Sequence, residues 1–338
     1  MEPKTRMSEP NSPIPVSTIE YFRPLPEPQG RAPEERYWVH VLLLLATVFT
    51  TLVVGARMQY NFLHDLPPFV VGEDYLPFFQ IGWVLAHPAR LLLGIPFSAT
   101  LLGILLAHEM GHYLCCRYYG VHATLPFFIP APTMIGTLGA VIRIKSRIRS
   151  RQALFDIGIA GPIAGFVVAV AALAVAMTLS KPLVRGMGPS DLRLGFPGVF
   201  YIMHNLLRSL APGHAVAGLP LQKIYLHPTA VAAWVGMFAT ALNLLPSGQL
   251  DGGHIVYAVA PRAHRVISWI TVIGLAFMGR SSYTWYFWAG LITVMNVLTY
   301  RQEQAPEYPM LPASRWGLTL LALFMLGLTF TITPFRLR

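Results

Sequence analysis

Seven apolar runs separated by more polar connectors set the organisation of this chain, at 39–55, 91–116, 153–179, 229–245, 266–278, 283–298 and 317–331. A helix rising 1.5 Å per residue needs about 20 apolar residues to cross a hydrocarbon layer of about 30 Å. The pattern therefore predicts an all-α polytopic membrane protein of about six to seven transmembrane helices, with 266–278 short for a full span. Residues 56–90 carry His64, Asp65, Glu73 and Asp74 and read as an external interfacial loop. Residues 180–227 read as a second external loop. Residues 1–37, rich in Pro and Glu with no early apolar core, read as a disordered cytoplasmic tail rather than a signal peptide. The expected membrane-embedded domain is 38–338, with its core at 91–257 and C-terminal helices at 265–333.

Composition agrees. The 338 residues are 54% hydrophobic and 12% charged, about half the charge of a soluble domain. The net charge of +10 raises nucleic acid as a partner, but membrane proteins collect Lys and Arg on cytoplasmic loops, so the expected partner is the lipid bilayer and not nucleic acid. Arg143, Lys145, Arg147, Arg149 and Arg151 form the densest basic cluster and place the connector between the second and third spans in the cytoplasm, with the N-terminus on the same side. Lys181, Arg185, Arg193, Arg208 and Lys223 fall in the loop this scheme puts outside, against the charge rule. The only cysteines, Cys115 and Cys116, are adjacent and provide no disulfide framework.

His108-Glu109-Met110-Gly111-His112 lies inside the second apolar run. Ionisable side chains at membrane depth cost about 2.5–3.5 kcal/mol each and are functional suspects. On a helix His108 and His112 share a face, with Glu109 one residue round, able to reach a water between them and a metal. Catalytic zinc takes three protein ligands, and only Asp156, Asp191, Asp251, Glu303 and Glu307 follow. Asp156 suits the positive end of the third helix. Asp251 follows Pro246 and Gly248, where the helix must break, and broken backbone at this depth lines protein or a wet cavity. It is the favoured third ligand, with His254 as an alternative.

Residues 126–146 run from Pro126, Pro130 and Pro132 through Gly136 and Gly139 to the β-branched stretch Val141, Ile142 and Ile144. This predicts a short re-entrant β-hairpin, Gly136 and Gly139 within it, whose free edge binds an unwound substrate as an added strand.

His108-Glu109-x-x-His112 with Asn243-x-x-Pro246 and Leu250-Asp251-Gly252 resembles the site-2 protease family of intramembrane zinc metalloproteases (M50 type). The likeness covers roughly 91–257, including Gly136-Thr137-Leu138-Gly139 and Gly161-Pro162-Ile163-Ala164-Gly165. It is nearest the branch without a PDZ domain, the 180–227 loop being too short for one. The resemblance implies one catalytic Zn2+ held by His108, His112 and Asp251, Glu109 as general acid/base, and Asn243 beside the substrate. It implies hydrolysis within or next to the transmembrane segment of a single-span protein or signal-peptide remnant, in a bacterial inner (cytoplasmic) membrane. The competing expectation is a metal transporter or sensor built on the same His/Asp cluster.

Overall fold

The computed structural model describes residues 36–69, 79–148, 150–184, 192–299 and 311–337. The tail expected at 1–37 lies, except for Arg36 and Tyr37, outside the described residues. Among the described residues ten helices follow in chain order: α1 Tyr37–Leu63, α2 Ile81–Leu85, α3 Ile95–Tyr118, α4 Arg151–Leu179, α5 Gly198–Leu210, α6 Pro228–Asn243, α7 Asp251–Val259, α8 Pro261–Met278, α9 Thr284–Thr299 and α10 Trp316–Thr329. Short 3-10 turns precede α3 and α10.

Among the described residues, three helical stretches are long and apolar enough to cross a membrane: Tyr37–Leu63, Pro88–Tyr118 and Arg151–Leu179. The expected six to seven spans are not reached on this measure. The helices α6, α9 and α10 have 16, 16 and 14 residues, about 21–24 Å of rise. In α6, 13 of 16 residues are buried, so its apolarity serves packing against protein rather than contact with lipid. By contrast Leu45, Leu114, Val167, Ile273, Phe287 and Phe324 are exposed on the outer helices, an apolar surface suited to acyl chains.

The first span runs further than expected. The expected end at Gly55 is instead a contact point, because a Cβ there would stand 2.8 Å from the Gly94 carbonyl oxygen. The helix continues to Leu63 through the polar stretch assigned to a loop, with Arg57 over the ring of Trp83 at 5.0 Å. That contact supplies the guanidinium with an aromatic face in place of water.

Among the described residues three two-stranded antiparallel ladders accompany the helices. The strands β1 (Phe127–Pro130) and β2 (Thr137–Val141) pair with Phe127 opposite Val141 and Pro130 opposite Thr137. The others join β3 (Lys181–Pro182) to β5 (Ile224–Tyr225), and β4 (Leu192–Leu194) to β6 (Phe335–Leu337). These were not foreseen, since short strands distant in sequence leave no local signal.

Candidate metal centre

The apolar stretch that carries both histidines folds as α3, so His108 and His112 project from one face with ring centroids 4.9 Å apart. Against that face lies the first half of α4, where small residues admit the imidazoles. A Cβ on Gly161 would sit 2.1 Å from His112 Nε2, and one on Gly165 3.1 Å from His108 Nδ1. The Gly161–Gly165 pattern thus serves close packing of α4 on the site.

The third element arrives through the break at the end of α6. The chain leaves the helix at Asn243, turns through Pro246 and through Gly248 at φ +58°, and starts α7 on Asp251. The turn is tied from outside: Asn296 Nδ2 donates to Ser247 Oγ at 3.3 Å, and Ser247 Oγ to the Ser268 carbonyl at 3.3 Å. A polar residue within the apolar run of α9 was the available signal for Asn296, and Ser268 follows the basic start of α8 without a signal of its own; sequence reasoning passed over both.

Three atoms converge. His108 Nε2 and His112 Nε2 are 3.2 Å apart, and Asp251 Oδ2 stands 3.2 Å from the first and 3.3 Å from the second. Ligands on bonds of about 2.0–2.1 Å at tetrahedral angles are spaced about 3.3–3.4 Å apart, so the triangle matches one face of a zinc coordination sphere. His112 Nδ1 donates to the Ile157 carbonyl at 2.7 Å, which leaves the Nε2 lone pair facing the other two ligands. Asp251 Oδ2 is buried without a hydrogen bond, an arrangement that is costly unless a cation meets it. The donor set therefore fits a zinc ion. Among the described residues this is the cluster able to hold a metal; His254 does not join it.

Glu109 is buried beside the triangle, its carboxyl near the backbone of Ile142, just past β2. The amide of Asn243 lies 3.1 Å from His108 Nε2. Gly139, at φ +105°, has open space where a Cβ would be, whereas a Cβ on Gly136, at φ +82°, would strike the backbone of α1 at Thr50 and Thr51, 2.7 Å away. Packing against α1 therefore accounts for Gly136. Asp156 does not reach the metal triangle and is not in the first turn of α4. It takes two hydrogen bonds from Arg315, at 3.1 and 2.7 Å, and one from the Tyr119 hydroxyl.

Such a site, sunk in apolar helices, is that of a membrane protein able to hold a metal ion. The profile of peptidase family M50 matches residues 96–279, and the chain belongs to that family. It is 31% identical over 256 residues to the probable zinc metalloprotease EGY1, chloroplastic, of Arabidopsis thaliana, covering 72% of this chain and 44% of the relative. To the protein of that name in Oryza sativa subsp. japonica it is 30% identical over 262 residues, 75% of this chain and 42% of the relative. A third relative, the probable zinc metalloprotease EGY2, chloroplastic, of Arabidopsis thaliana, is 28% identical over 205 residues, 59% of this chain and 35% of the relative. The chain thus spans less than half the length of these curated relatives. Their chloroplastic names give no support to the expected bacterial inner membrane; membrane residence itself rests on the long apolar helices.

Proposed function

We propose that this chain is an intramembrane zinc metalloprotease that hydrolyses a peptide bond within or next to the membrane-spanning segment of its substrate. The observation that carries the reading is the triangle of His108 Nε2, His112 Nε2 and Asp251 Oδ2, 3.2–3.3 Å on each side, beside the buried Glu109. His108, His112 and Asp251 hold the ion. Bound zinc supplies Lewis acidity, bringing a water's pKa toward 7 and polarising the scissile carbonyl.

Glu109 takes the proton from the attacking water and returns it to the leaving amine, so one carboxyl acts as base and then acid. The Ile157 carbonyl holds the His112 ring in the tautomer the site needs. Asn243, bordering the triangle, donates to the substrate backbone or to the developing oxyanion. A transmembrane helix presents carbonyls already hydrogen-bonded within itself, so it must be unwound before attack. In this reading the free edge of β2, which leads on to Ile142 near Glu109, receives that extended segment as an added strand. Substrates of this reading are single-span membrane proteins or signal-peptide remnants.

Convergence of the ligands at one place disfavours the transporter alternative, which needs ligands repeated along a path. The test is to purify wild type and Glu109→Gln, measure zinc, and offer both a single-span reporter. Cleavage by wild type alone, with zinc in both, is the expected result. Equal cleavage by both proteins, or zinc absent from both, overturns the reading.

A further inference from the structure

At the opposite end of the bundle from the metal centre lies a cavity of about 850 Å³, within the range of small-ligand sites. Ile157, behind His112, and Leu179, at the end of α4, are separated by 22 residues, about 33 Å of helix. The cavity lies past that end, where β3 pairs with β5, and takes Leu183, Ile224 and Tyr225 into its wall. Apolar side chains dominate the rest, among them Phe69, Phe196, Leu221, Val231 and Phe330.

Two of its lining residues are arginines, Arg193 on β4 and Arg336 on β6, directly opposite each other in the antiparallel ladder. Like charges at such positions repel, and a ladder of three residue pairs has little to offset that. Both side chains are exposed, and among the described residues neither guanidinium is in an ion pair. Two such guanidinium groups bordering an apolar cavity match one ligand chemistry: an anionic oxygen headgroup joined to a hydrocarbon chain.

We infer that this cavity binds one anionic phospholipid, its phosphate held between Arg193 and Arg336 and an acyl chain inserted among the apolar side chains. The inference also accounts for Arg193 among the basic residues of the 180–227 loop that run against the charge rule: it faces a bound lipid anion rather than marking a cytoplasmic side. Lys181 is engaged elsewhere, in an ion pair with Asp65 at 2.6 Å.

The test uses the full chain purified in mild detergent, titrated with phosphatidylglycerol, with phosphatidylcholine of the same acyl chains, or with inorganic phosphate, and read by native mass spectrometry. Wild type should retain one phosphatidylglycerol about tenfold or more tightly than phosphatidylcholine, whose choline cation neutralises its headgroup and is repelled by the two arginines. Arg193→Gln combined with Arg336→Gln should bring phosphatidylglycerol down to the phosphatidylcholine level, while Arg193→Lys with Arg336→Lys keeps part of the preference. Equal retention of the two lipids by wild type overturns the proposal without need of any variant. So does binding of inorganic phosphate at the same concentrations as the lipid, which would make the site one for a free anion. Zinc content and the Glu109→Gln comparison are separate readouts, so failure here leaves the protease reading standing, and the reverse.

Discussion

Gly161 carries a requirement that its own chemistry does not reveal. A Cβ there would overlap His112 Nε2 at 2.1 Å, so Gly161→Ala should push the imidazole off its hydrogen bond to Ile157. Disturbing the groups that orient a metal ligand costs about 10- to 100-fold in affinity, and a loss of that size in zinc binding, measured against a chelator, is expected. Unchanged affinity would mean that α4 yields more easily than its packing implies. Asp251→Asn should lose zinc more completely, because the neutral amide replaces the anionic ligand, and metal analysis of the purified variant checks this. His108, Glu109 and His112 stood out in the sequence because an ionisable group in an apolar run is too costly to keep without a partner, and Asp251 because it follows the break at Pro246 and Gly248. The Ile157 carbonyl was not legible, since every residue has one. Gly161 was visible as a small residue, but which side chain it faces is decided only by the contact of α3 with α4.

Helices were legible where apolar runs were long, as in α3 and α4, and their ends where Pro246 and Gly248 interrupt. What the runs could not disclose was depth: α6 is as apolar as a span yet almost wholly enclosed, because burial in protein and burial in lipid select the same side chains. The β1–β2 pair yields a prediction that separates its two glycines. Gly136 abuts the backbone of α1, so Gly136→Ala should lower the melting temperature, whereas Gly139 faces open space and its alanine variant adds backbone strain alone. Zinc should remain in both. If β2 receives the substrate, Gly139→Ala also slows cleavage of a membrane-spanning reporter; unchanged rates would remove β2 from the substrate path. A second contact ties the second turn of α4 to the 3-10 turn before α10 through Asp156 and Arg315. Its bidentate geometry and partial burial place it above an ordinary surface pair. Arg315→Gln should therefore lower the melting temperature by about 2–6 °C, with zinc binding retained because Asp156 does not reach the triangle.

The two ends of the bundle carry different chemistry, and α4 is the element that separates them. Its 29 residues rise about 43 Å, more than the hydrocarbon thickness of about 30 Å, so the basic connector before it and the β3–β5 ladder after it must face opposite sides of a membrane if α4 spans. Both ends are basic, which is why charge alone left the orientation contested: the connector has Arg143, Lys145 and Arg147, the far end Lys181, Arg193 and Lys223. Geometry resolves what counting does not. Arg147 and Lys223 are both exposed and lie at opposite ends of the helix. In a background where Cys115 and Cys116 are replaced by Ala, Arg147→Cys and Lys223→Cys offer one thiol each. In sealed vesicles of uniform orientation an impermeant maleimide should modify one variant at once and the other only after permeabilisation. Modification of both before permeabilisation would mean that α4 does not cross, and the depth assigned to the metal triangle would fall with it. The variant labelled only after permeabilisation also identifies the lumenal side of those vesicles with one chemistry: metal-proximal connector if it is Arg147→Cys, arginine-lined cavity if it is Lys223→Cys.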